Sequence, residues 1–97
     1  MILKEVKRFQ FCNDTYVILE NREKIMGVWS WNYWLTIKGY GEIKHLFGLC
    51  HVSKEYRKSY DFENYVLNNL DSYYEDITGE SFVEVHARYE AIKEVEV

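Results

Sequence analysis

Polar and apolar positions divide the chain into six stretches, and most of them alternate with the period of a β-strand. Phe9 and Phe11 alternate with Arg8 and Gln10, Asn13-Asp14 follows, and Thr15-Tyr16-Val17-Ile18-Leu19 is β-branched and aromatic. This spacing predicts a hairpin over residues 5–20, because Asn and Asp tolerate the left-handed backbone of a tight turn. Glu20-Asn21-Arg22-Glu23-Lys24 is polar and reads as a loop. Trp29, Trp31, Tyr33, Leu35 and Ile37 then share one parity, and Ser30, Asn32, Thr36 and Lys38 the other, with Trp34 as the exception. That pattern predicts a strand with one buried and one wetter face.

Gly39-Tyr40-Gly41 supplies a turn. In residues 43–50, Ile43, His45, Phe47 and Leu49 alternate with Lys44, Leu46 and Gly48. A strand and a short helix both fit, since both faces are partly apolar. Ser53 to Tyr60 reads as a polar, basic connection. Phe62, Val66, Leu70, Tyr73 and Ile77 recur at helical spacing, which predicts one main helix over about 61–78. Asp61 or Ser59 would cap it and Gly79 would end it. From Val83 to Val97, Val83, Val85, Ala87, Tyr89, Ala91, Val95 and Val97 share a parity and predict a closing strand. The sum is an α+β fold: an antiparallel sheet of about five strands, ordered β-β-β-β-α-β, with the helix on one face. The 97 residues suit a single domain, 1–97, and 18% aromatic content argues against disorder.

Charge changes the picture more than composition does. Sixteen acids against twelve Lys+Arg give a net charge of −4, but the distribution is uneven. Residues 1–58 carry a net +4 and residues 59–97 a net −8. No Lys or Arg lies between Lys58 and Arg88. On the predicted helix, Asp61, Asn64, Asn68, Asp71 and Glu75 fall on the side away from the apolar stripe, with Asp76 nearby and Tyr65 and Tyr74 on the flanks. Such a ridge repels nucleic acid and attracts basic proteins. The leading expectation is a non-enzymatic interaction protein that presents these residues to a basic protein partner, such as a nucleic-acid-binding protein or nuclease complex. Residue choice adds a prior on source. Phe, Tyr, Met, Ile, Asn and Lys number 37 against 11 Gly, Ala, Arg and Pro, an AT-rich codon bias. That bias suits an accessory inhibitor from a phage or mobile element.

A competing expectation is a single-stranded nucleic-acid binder using Trp34, Tyr40 and the basic residues Lys38, Lys44, Lys54, Arg57 and Lys58. Trp34 breaks the parity of the other aromatics, so it is the better candidate for an exposed contact. The acidic overall balance opposes this reading. A third expectation is a small ligand-binding or enzymatic domain around His45 and Cys50.

The chemistry for that third expectation is thin. No CxxC or HxxxH spacing supports a metal site, and no glycine-rich phosphate loop occurs, so no cofactor is expected. Cys12 and Cys50 are too few for a disulfide scaffold; whether they pair is open. Met1-Ile2-Leu3 runs into Lys4, Glu5, Lys7 and Arg8, so neither a secretory leader nor a membrane span is expected, and the setting would be cytoplasmic. The closing strand would offer an edge through which a homodimer could form.

Overall fold

The computed structural model describes residues 2–95, with side chains from Ile2 to Ala91. Four strands, β1 (Lys4–Phe11), β2 (Asp14–Ile25), β3 (Val28–Ile37) and β4 (Lys44–Cys50), form an antiparallel sheet in the order β1-β2-β3-β4. Four helices follow: α1 (Lys54–Ser59), α2 (Phe62–Asn68), α3 (Leu70–Thr78) and α4 (Phe82–Val95). The α+β class stands, with four strands among the described residues rather than about five, and with four helices rather than one.

Several expectations need correction. The polar stretch 20–24 is not a loop but the outer half of β2, and Ser53–Tyr60 is not only a connection but contains α1. The main helix breaks at Asn69, whose backbone leaves helical geometry (φ −123°, ψ 21°). Its side-chain amide donates to the Tyr65 carbonyl at 2.9 Å. Asn competes for backbone partners in this way, and Asn68-Asn69 concentrates that tendency in two residues.

The closing segment is helix α4, not a strand. On a strand Val83 and Val85 would share a face, yet Val83 is exposed and Val85 half-buried. Phe82, Val85, His86 and Tyr89 form the half-buried stripe, at the i, i+3, i+4, i+7 spacing of a helix. Val85 and Tyr89 belong to both patterns, and the surrounding Glu, Ala and Arg residues favour helix. The predicted strand's last two residues, 96–97, lie outside the described residues. With the strand gone, so is the edge on which the homodimer expectation rested.

Residues 43–50 resolve as strand from Lys44 onward, with a bulge. Tyr33 pairs with Phe47 while Trp34 pairs with His45, so Leu46 is the extra residue. The bulge turns Phe47 and Leu49 toward the helices and His45 to the other face. Simple parity placed them together.

Tight two-residue turns join the first three strands. Cys12 and Asn13 (φ 49° and 70°) connect β1 to β2, one residue earlier than expected. Met26 and Gly27 (φ 50° and 82°) connect β2 to β3. Two positive φ angles are the signature of a type I′ hairpin, where Asn-Gly is favoured and Met is strained. Met26→Asn should therefore raise stability by about 0.5–1 kcal/mol, read from the midpoint of a urea melt. An unchanged midpoint would mean that the turn carries no strain.

The core lies between one sheet face and the helices. Tyr16, Ile18, Tyr33, Leu35 and Ile37 meet Phe62, Val66, Leu70, Tyr74 and Ile77. Coverage along β3 is uneven. Ile37, Leu35 and Tyr33 are buried, Trp31 is half-buried, and Trp29 is 44% exposed, although all five share a face. The β2–β3 hairpin outgrows its helical layer. It also outgrows its neighbours: β1 pairing ends at Lys4 opposite Glu20, and β4 pairing ends at Cys50 opposite Ser30. Beyond those points a two-stranded ribbon projects from a molecule 55 × 25 × 18 Å in extent.

Candidate functional site

The base of this ribbon is concave. A groove of about 810 Å³ lies over Glu20, Arg22 and Trp31, between the amino-terminal strand (Ile2, Lys4) and α1 (Lys54, Arg57). A second hollow of about 390 Å³ continues it over Tyr33 and Phe62, bordered by Lys7 and Lys58. Lys4, Glu20, Lys54 and Arg57 line both, so the two form one trough. Six cations border it (Lys4, Lys7, Arg22, Lys54, Arg57 and Lys58) against three carboxylates, Glu5, Glu20 and Glu23.

Local structure explains each placement. Lys4 stands opposite Glu20 in the β1–β2 register, and Arg22 opposite Trp31 in the β2–β3 register. Ser53 caps α1 by accepting from the Tyr56 amide at 3.1 Å. That helix presents Lys54, Arg57 and Lys58 along the trough wall. Arg57 stacks on the Trp31 indole at 3.8 Å and donates to the Val52 carbonyl at 3.2 Å. It is thereby fixed in place, as planar guanidinium on an indole face should be.

Two of the carboxylates are engaged within the chain. Glu20 accepts a hydrogen bond from the Tyr33 hydroxyl at 2.8 Å, and Glu5 is held by Arg8 at 2.7 Å. Burial, and then the Glu20 contact, push the Tyr33 phenol well above its ordinary range, so it stays a donor.

Farther out, the Arg22 guanidinium lies 5.0 Å and the Lys24 ammonium 5.7 Å from the Trp29 ring centroid. Indoles and cations therefore alternate from the ribbon into the trough.

The acidic residues are arranged differently. Asp61 caps α2, accepting from the Asn64 amide at 3.1 Å. Asn64, Asn68, Asp71 and Glu75 are exposed. Asp76 is neutralised by Lys44 at 2.8 Å. Tyr74 is buried and donates to Asp14 at 3.4 Å, so it presents no surface to a partner. Burial, followed by the Asp14 carboxylate, pushes its phenol up to about 12. Tyr65 is half-buried, 4.9 Å from the Phe47 ring, and accepts from the Tyr73 hydroxyl at 3.3 Å.

Of the basic set singled out in the sequence, the structure gathers Lys54, Arg57 and Lys58. Lys38 lies in the β3–β4 turn and Lys44 on α3's side of the sheet, paired to Asp76. Tyr40 is exposed in the loop that follows this turn. Trp34 is half-buried on the face opposite the core, donating to the Asn21 side chain at 2.6 Å and meeting the His45 ring edge-on at 4.8 Å. The exposed indole is Trp29, not Trp34.

Sequence reasoning missed Lys4, Lys7, Arg22 and Lys24 as site residues. The available signal was Gly27: a turn there places Arg22 beside Trp31 and Lys24 beside Trp29.

Cys50 is exposed at the end of β4, and no disulfide joins it to Cys12. Among the described residues no group of His, Cys, Asp and Glu is disposed to hold a metal ion, and no helix is long and apolar enough to cross a membrane. No family model, curated protein or solved structure matches the chain.

Proposed function

We propose that the protein is a non-enzymatic binding module whose trough takes a phosphate-rich chain. The observation that carries this reading is the convergence of six cations on one concavity, with Trp31 and Arg57 stacked in its floor. Arg and Lys in a groove are the usual means of tracking a phosphate backbone.

The net charge of −4 is a weaker objection than it looks. Charges farther apart than the Debye length, about 8 Å at physiological salt, scarcely feel one another across solvent. The molecule is 55 Å long, and Asp71 and Glu75 sit on α3, whereas the trough lies beside α1 and the ribbon; Glu55 on α1 and Glu23 in the lining are the nearer exposed acids. The local field at the trough is set by its own lining.

Fluorescence anisotropy of a labelled polyphosphate and a labelled oligonucleotide, titrated at several salt concentrations, tests the proposal. Affinity should fall linearly on a log–log plot against salt, with a slope near −3 if four or five phosphates are engaged. Absence of binding at 50 mM salt removes the proposal.

A second reading has one observation in its favour. Asp71 and Glu75 are exposed and have no ion-pair partner among the described residues, which leaves an anionic patch for a basic protein. It is the weaker of the two, because Tyr74 is buried and Asp76 is already neutralised. Asp71→Lys with Glu75→Lys should change stability by less than about 0.5 kcal/mol, since exposed charges contribute little. A defined partner held by the natural chain and lost by this variant favours the second reading. Retention of that partner removes it.

A further inference from the structure

We infer that the chain held in the trough is single-stranded nucleic acid, and that its bases stack on Trp29 along the free β2–β3 ribbon. This inference rests on the phosphate-binding reading and narrows it. Trp29, Trp31 and Tyr33 occupy successive same-face positions, about 6.6 Å apart, on a line from the ribbon into the trough floor. Trp31 is covered by Arg57, and Tyr33 is buried. Trp29 is 44% exposed, with the Arg22 and Lys24 side chains over its ring at 5.0 and 5.7 Å from the centroid. The next ligand unit out from the trough therefore meets a part-exposed indole with two cations over its ring, which a stacking base would share or displace toward its own phosphates. That combination serves an unpaired base and its phosphates.

Duplex does not fit as well. Its bases present their flat faces to one another, so an exposed indole gains nothing from them, and only the cations would contribute. Polyphosphate likewise has nothing to stack.

The tip of the ribbon suggests one competing partner. Ile25 is 50% and Met26 97% exposed, and an apolar tip with cationic flanks also suits an anionic membrane surface. A bilayer would engage the tip alone and leave Arg57, Trp31 and the trough unused. A strand laid along the ribbon uses all of them.

The test compares four labelled or titrated probes against the full chain: a 12-nucleotide oligothymidine, the same length of duplex, long-chain polyphosphate, and phosphatidylserine vesicles. Trp29→Ala should weaken the oligothymidine by about tenfold, the usual yield of one stacked base, and leave polyphosphate within twofold. Trp29→Phe should recover most of the loss. Trp29 lies outside the core, so the variants should keep the circular dichroism of the natural chain.

Equal loss for oligothymidine and polyphosphate overturns the inference, as does duplex binding as tight as single strand. Vesicle binding that depends on Trp29, with oligothymidine unaffected, overturns it in favour of a membrane. If neither oligothymidine nor polyphosphate binds, the phosphate-binding reading itself has failed.

Discussion

Charge reversal at Lys7, Lys54 and Lys58, all to glutamate, is expected to weaken oligonucleotide and polyphosphate binding by at least about 100-fold at 0.1 M salt. A cation about 4 Å from a phosphate contributes about 1 kcal/mol even in a water-like medium, and reversal turns that attraction into repulsion of similar size. Three sites together exceed the roughly 2.8 kcal/mol that a 100-fold change needs. The slope of affinity against salt should flatten by about 2. The fold should survive, because all three side chains are exposed and none makes an ion pair among the described residues.

Arg57 is left out of the set on purpose. It is half-buried, stacks on Trp31 and binds the Val52 carbonyl, so its loss would mix packing with charge. Lys38→Glu, in the β3–β4 turn, is the matched control and should change affinity by less than about threefold. A loss of less than threefold in the triple variant, with the fold intact, would place the binding surface elsewhere.

Why the trough was only half legible follows from particular residues. β3 was plain in the sequence, because Trp29, Trp31, Tyr33, Leu35 and Ile37 share one parity, with Trp34 the one aromatic on the other. Alternation reports which side chains share a face, but not how much of that face a second layer covers. Trp29 and Leu35 have the same parity and opposite fates, since the helical layer covers Tyr33, reaches Trp31 through Arg57 of α1, and stops short of Trp29. Arg22 and Lys24 were hidden by their polarity. A strand with no layer over it has no apolar alternation to show, so it reads as loop. Lys4 and Lys7 come from the other end of the chain, and the β1–β2 register that brings them in carries a bulge between Glu5 and Lys7. Tyr74's place on the acidic ridge was misread for a complementary reason. Helical periodicity put Tyr74 on a flank, but the break at Asn69 resets the phase of α3, and Tyr74 turns into the core.

Leu35→Ala is expected to destabilise the protein by about 2–5 kcal/mol, whereas Trp29→Ala, six residues away on the same strand and face, should cost about 1–2 kcal/mol. Leu35 is fully buried, and its truncation loses apolar transfer energy and leaves a cavity. Trp29, at 44% exposure, still has more than half of its surface covered, so it stands to lose that partial burial and two exposed cation–π contacts of about 0.5–1 kcal/mol each, partly regained from water. Urea unfolding of the two variants, with equal slopes, measures the difference directly. The comparison bears on function as much as on folding. An indole nearly half exposed, held on a ribbon that no helix covers, has apolar surface left for something outside the chain. If instead Trp29→Ala costs as much as Leu35→Ala, the ribbon is covered in solution, as by a second copy of the chain. The Trp29 face would then be closed, and an unpaired base could not stack on it.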